Sequence, residues 1–162
     1  RMKYFTIQEC VKSAKAVEKH IDNTPPPEFE AHLRETVERL ADPLREAWAA
    51  YCAENELGTP AIHVSSGYRC PALNKAVGGV PTSAHRYGYA LDLQPLNNRM
   101  RAFKRFCREF LADKEFDQLI SEGEKPNGMP SWMHVGYKHP DGVTQRKQLL
   151  SMISGKYCPM TD

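Results

Sequence analysis

The sequence lacks any long apolar run. Nothing approaches the roughly 20 residues that a helix needs to cross a bilayer, so membrane insertion through a helical span is not expected. It also lacks an excess of charge of one sign. Lys and Arg number 22 against 20 Asp and Glu, a formal net charge of +2, so the basic footprint of a nucleic-acid binder is missing. A paired-cysteine pattern is missing too. Cys10, Cys52, Cys70, Cys107 and Cys158 are odd in number, widely spaced and free of any CxxC. That argues against a disulfide framework and against a cysteine zinc knuckle, and reduced, mostly buried thiols are expected. No HExxH occurs, which excludes the helical zinc-protease motif. Internal repeats and low-complexity segments are absent. The first ten residues turn polar too soon for the apolar region of a signal peptide. The expectation is a chain made in the cytoplasm, a monomer with no nucleic-acid partner.

What is present is a globular composition, 41 % hydrophobic and 26 % charged over 162 residues, enough for one domain, 1–162. Residues 1–57 read as helical. Thr6 with Glu9 suggests a capping box opening a helix to His20, and Pro25-Pro26-Pro27 breaks the pattern. Leu33, Val37, Leu40, Leu44, Trp48 and Tyr51 then mark one face of a long helix. Asp42-Pro43 predicts a break within it, with Asp42 as cap. In the core, 58–137, strands are expected at Ile62–Ser66, Tyr89–Gln94, Phe116–Glu122 and Trp132–Tyr137. The last two form a hairpin with a wide Gly/Pro/Asn-rich loop. Helices are expected at Pro71–Val77 and Asn98–Leu111. Residues 138–162 read as a final helix, Gln145–Ile153, and a tail. Helices first and strands later favour α+β with a small, mainly antiparallel sheet flanked by helices.

The densest chemistry lies in Ser83-Ala84-His85-Arg86-Tyr87-Gly88-Tyr89-Ala90-Leu91-Asp92. A turn at Gly88 lets His85 and Asp92 meet, and His, Asp and Glu are the ligands of catalytic zinc. A third ligand must come from elsewhere, and His134, mid-strand between apolar neighbours, is the best candidate. Each residue also has a plainer reading. A strand histidine is commonly hydrogen-bonded in a core, and Asp92 could pair with Arg69 or Arg86. His63 reads as a packed ring, and His20 and His32 as exposed residues near helix breaks. A catalytic thiol at Cys70 would need a nearby histidine base, and the local sequence supplies none.

SAHRYGYALD resembles the SxHxxGxAxD signature of the zinc D-Ala-D-Ala carboxypeptidase family, which includes peptidoglycan D,D-carboxypeptidases and phage endolysin-type endopeptidases. WMHV at 132–135 resembles its WxHV block, SSGYR at 65–69 its SSGYR block, and NKAVGGV at 74–80 its NxAVGGV block. YFTIQE, IDN and DPLREAW resemble a prophage-associated branch. The resemblance runs from about Tyr4 to Tyr137 and implies a hedgehog/D,D-peptidase-like fold.

It also implies Zn²⁺ held by His85, Asp92 and His134, lowering the pKa of a bound water to about 7. Arg69 would contact substrate and stabilise charge on the scissile carbonyl oxygen, and Ser83 would bind substrate or orient its loop. Many relatives carry an acid three residues before the last histidine. Here that residue is Ser131, so Glu122 becomes the candidate general base, with Glu124 and Asp117 behind it. The implied activity is zinc-dependent hydrolysis of peptidoglycan stem or cross-bridge peptides next to a D-amino acid. It would act at the bacterial cell wall, reached after phage-type lysis. The alternative is a non-catalytic, metal-stabilised wall-binding module on the same fold.

Overall fold

The structure, a computed structural model, describes residues 1–162. The Thr6–Glu9 capping box forms and opens α1 (Ile7–Val11). The expected helix to His20 is instead two short helices. The chain leaves the helical conformation at Lys12, and the Ser13 hydroxyl caps α2 (Ala14–Glu18) by accepting from Ala16 N–H at 3.1 Å. A small polar side chain that can accept from the backbone restarts a helix more readily than it continues one.

The long helix is α3 (Pro27–Thr36), a π turn (Val37–Ala41) and α4 (Asp42–Glu54). The expected break at Asp42-Pro43 is this wide turn. Pro43 offers no N–H and would crowd the carbonyl of Arg39, so the ladder widens ahead of it. Asp42 is not a cap. Its carboxylate is buried and accepts from the backbone N–H groups of Lys3 (2.6 Å) and Tyr4 (2.9 Å), tying the N-terminal segment to α4.

Six strands form one sheet: β1 (Ile62–Ser66), β2 (Ala90–Pro95), β3 (Gln118–Glu122), β4 (Trp132–Gly136), β5 (Gln148–Ile153) and β6 (Lys156–Pro159). Their order is β1-β2-β4-β3-β5-β6, and every pair is antiparallel except β3/β5. The α+β architecture is thus present, and β3/β4 is the wide-loop hairpin. Two more helices, α5 (Pro71–Ala76) and α6 (Met100–Leu111), follow β1 and β2.

The expected C-terminal helix is not there. Gln148–Ile153 pairs in parallel with β3 and returns as β6 through Ser154-Gly155, both at positive φ. A six-residue segment with four apolar residues, QLLSMI, reads equally as strand or helix. Here the open edge of β3 and a two-residue turn of the mirror-image type decide for strand.

Strand alternation sorts the residues. Leu91, Leu93, Leu119, Met133 and Val135 are fully buried and join one core cluster with Leu33, Leu44, Trp48 and Phe103 from the helices. Asp92, Ile120, Glu122, Trp132 and His134 line a cleft on the opposite face. One side of the sheet stabilises the molecule, and the other is left for chemistry.

Candidate active site

Asp92 and His134 face each other directly across β2 and β4, and Ile120 completes the row on β3. Directly opposed residues of an antiparallel pair hold their Cβ atoms about 5 Å apart. His134 Nδ1 lies 3.1 Å from Asp92 Oδ1. His85 arrives from a 3₁₀ turn (Ala84–Tyr87) just before β2. Gly88 ends that turn in the left-handed region, φ +77, where an added Cβ would sit 2.6 Å from the Phe29 carbonyl oxygen. Only glycine combines that conformation with that contact. The turn is pinned to the chain after β1, because Arg69 N–H donates to the His85 carbonyl (3.0 Å) and His85 Nδ1–H donates to the Gly67 carbonyl (2.8 Å).

That second bond fixes the ring. Nδ1 carries the proton, so the lone pair of neutral His85 sits on Nε2, 3.2 Å from Asp92 Oδ1. The atoms of His85, Asp92 and His134 that could hold a metal ion lie within 4.8 Å of one another. The rings of His85 and His134 meet edge to face, with centroids 5.0 Å apart. All three residues are buried.

Arg69 closes one side. Its Nε donates to Ser66 Oγ (3.0 Å), its Nη1 donates to Asn74 Oδ1 (3.1 Å), and its Nη2 lies 3.8 Å from Asp92 Oδ2. Asn74 in turn donates to the Val80 carbonyl (2.8 Å). A Cβ on Gly79 would strike Asn74 Oδ1 at 2.1 Å. The SSGYR and NKAVGGV segments therefore act as one cradle for a single guanidinium. Ser83 caps the 3₁₀ turn by accepting from His85 N–H (3.3 Å) and lines the cleft as well.

Glu122 lies diagonally from His134 on the same sheet face, within reach of a long side chain. Burial lifts its carboxyl above its ordinary value, and the neighbouring charges of His134, Asp92 and Arg69 modulate that rise. Ser131 sits beside it, donating its N–H to the Glu122 carbonyl (2.8 Å) and its hydroxyl to Gly123 (3.0 Å). The carboxylate at this corner thus comes from the neighbouring strand.

The other acids are engaged elsewhere. Asp117 holds Arg146 through two bonds, 2.8 and 2.7 Å. Glu124 is buried with Lys104, Ser151 and Thr161. Cys70 Sγ accepts from Leu73 N–H and lines neither of the two main clefts.

His32 is half-buried rather than exposed. Its Nδ1–H donates to the Tyr87 carbonyl (2.8 Å), and its ring stacks on Tyr89. His63 is exposed rather than packed. His139, which the sequence places in a turn ahead of a proline, also lines the main cleft, as do Arg146 and Tyr157, to which the sequence assigns no role. The last belongs to the strand hairpin that replaces the expected helix, and the Ser-Gly pair between two apolar runs was its signal.

The profile of the peptidase M15 family matches residues 3–122. The chain belongs to the peptidase M15 family. A search of curated proteins finds no match. M15 membership makes the chain a metallopeptidase in general terms, and members of this family are zinc enzymes. The matched span ends at Glu122, so His134 lies outside it and reaches the cluster through the pairing of β4 with β2.

The residues fit such a metal. The Nε2 lone pair of His85 faces an oxygen lone pair of Asp92 with no proton between them. Two acceptors at that distance repel unless a cation stands between them. Burial lowers the His85 pKa and so disfavours a proton in that role. Asp92 is also buried, yet the positive charge that either imidazole carries once protonated and the hydrogen bond from His134 hold its pKa well below the usual carboxylate range. Neutral imidazole and ionised carboxylate are the protonation states that a metal requires of its ligands.

Proposed function

We propose that this M15 peptidase hydrolyses peptidoglycan stem or cross-bridge peptides next to a D-amino acid, with zinc held by His85, Asp92 and His134. The observation that carries this reading is the buried cluster on the floor of a cleft of about 610 Å³ that Arg69 and Glu122 also line. The resemblance of the SSGYR, NKAVGGV, SAHRYGYALD and WMHV segments to the wall-peptide carboxypeptidase family supports the substrate class.

Bound zinc supplies a water of lowered pKa and polarises the scissile carbonyl. The Glu122 carboxylate takes the proton of the attacking water and passes it to the leaving amine. Burial raises its pKa, the direction that suits a group that must both accept and return a proton. Arg69, held by Ser66 and Asn74, keeps a positive charge beside the oxygen on which negative charge develops. The Ser83 hydroxyl accepts from its own turn and keeps its hydrogen for a substrate carbonyl. A carboxylate beside the cluster favours catalysis over a purely wall-binding module, because a binding module needs no proton carrier there.

The test is release of D-Ala, or of stem fragments, from purified cell walls. Release by the zinc-loaded protein, abolished by a chelator and restored by zinc, is expected. Release that persists in chelator would overturn the reading.

A further inference from the structure

The cleft face of the sheet carries a second row beside the one that holds Asp92 and His134. Glu122 faces Trp132 across β3 and β4, and Met152 faces Tyr157 across β5 and β6. The parallel register of β3 with β5 pairs Ser121 with Ser151, and one residue further on it sets Met152 beside Glu122. Trp132, Glu122, Met152 and Tyr157 therefore stand in line on one face, and all four line the main cleft. Tyr157 is 58 % exposed although it belongs to the sheet.

The Tyr157 hydroxyl has no hydrogen-bond partner within the protein. Partial burial, and then the charges of Glu122 and Asp92, raise its pKa above the ordinary phenol value, so at neutral pH it remains a donor. β6 lies beyond the profile match at 3–122 and beyond the segments that resemble the carboxypeptidase family.

The order across the sheet gives this donor a direction. Arg69 follows β1 at one edge, the cluster sits on β2 and β4 with His85, Glu122 is on β3, and Tyr157 is on the far edge, β6. With the scissile carbon over the cluster and its oxygen toward Arg69, the leaving amine points to Glu122. The residue that carries that amine then extends toward Tyr157. Neighbouring strands lie about 4.8 Å apart, so β6 is about 10 Å from β3. One extended residue covers about 3.5 Å of that distance, and a phenol is long enough to span the rest.

We propose that Tyr157 binds substrate, its hydroxyl donating a hydrogen bond to the carbonyl or carboxylate oxygen of the residue that carries the leaving amine. This rests on the hydrolase reading for which part of the peptide leaves, but the contact can be read without turnover.

The test uses zinc-loaded full-length protein carrying Glu122→Gln, which lacks the base, and a fluorescein-labelled stem pentapeptide as probe. Adding Tyr157→Phe should weaken binding about three- to tenfold, the range of one neutral hydrogen bond, with zinc content and Tm unchanged. In protein that retains Glu122, Tyr157→Phe should raise KM for the same peptide by the same factor and leave kcat within about twofold, because the contact is made equally before and in the transition state. Equal affinity with and without the hydroxyl, no binding by either protein, or a fall in kcat at unchanged KM would each overturn the proposal. A Tm or zinc content that falls with the substitution would assign the effect to structure and overturn it as well. Binding that depends on Tyr157 in a wild-type protein that cuts nothing would remove the hydrolase reading and leave the contact standing.

Discussion

At the scale of single residues, the site depends on which atom of each side chain is free. His85 is useful because Gly67 takes its Nδ1 proton, leaving Nε2 to face Asp92. Glu122 is useful because burial raises its pKa while no hydrogen bond ties its carboxylate down. Replacing Glu122→Gln keeps the shape and removes the base. We expect full zinc content by metal analysis and turnover reduced by about 10²–10⁴-fold. Turnover near that of the wild type would place the base on another residue. The sequence showed His85 and Asp92 as neighbours in one motif. It could not show that Asp92 and His134 are cross-strand partners, because that depends on the order of strands in the sheet.

At the scale of elements, the ligand turn is only as well placed as the chain that holds it. Gly67 is the contact point. A Cβ there would lie 2.1 Å from the Cys10 carbonyl oxygen, and Tyr68 N–H donates to that same oxygen at 2.8 Å. Gly67→Ala should push the post-β1 segment away from α1 and take the His85 acceptor with it. A loss of about 1–3 kcal/mol in denaturant unfolding is expected, together with weaker zinc binding by competition with a chromogenic chelator. Unchanged zinc affinity would show that the turn holds its position without this contact. The β5/β6 hairpin is the element that pattern reading misplaced. Its apolar run is too short to reveal its period, and its partner is the edge of β3, some thirty residues earlier in the chain.

At the scale of the whole molecule, a buried polar knot ties the C-terminal tail to α6 and β5. Lys104 donates to Glu124 at 3.1 Å and to the Gly128 carbonyl at 2.9 Å, and Ser151 donates to Glu124 at 2.6 Å. Burial opposes ionisation of Glu124, but the hydrogen bonds of Ser151, Thr161 and Lys104 outweigh it and bring its pKa down to about 2. A folded-state pKa below the unfolded value means that the unfolded chain binds more protons between the two. The stabilisation is therefore complete above the ordinary carboxylate range and is lost as pH falls toward 2. Thermal melts should show Tm falling over that window, and Glu124→Gln should flatten the slope. A slope unchanged by the substitution would assign it to other carboxylates.

Metal acts at the same scale. Zinc at one hundred times its Kd stabilises the folded state by about 2.7 kcal/mol, a Tm rise of roughly 5–10 °C for a chain of this size. Chelator should reverse the rise, and His134→Ala should abolish most of it. An identical rise in that variant would place the metal elsewhere.

Local features were legible from the order of residues alone. Caps, proline breaks, strand alternation and the spacing of His85 from Asp92 depend on neighbours a few bonds away. The motifs it carried also pointed to the M15 family before any coordinate did. Contacts in the folded molecule settle the rest: the strand order that sets His134 against Asp92, the cradle of Ser66, Asn74 and Gly79 around Arg69, and the hairpin in place of a last helix. These depend on contacts between residues far apart in the chain, and such contacts leave no periodic trace in the sequence. Packing and the pairing of buried polar groups select them.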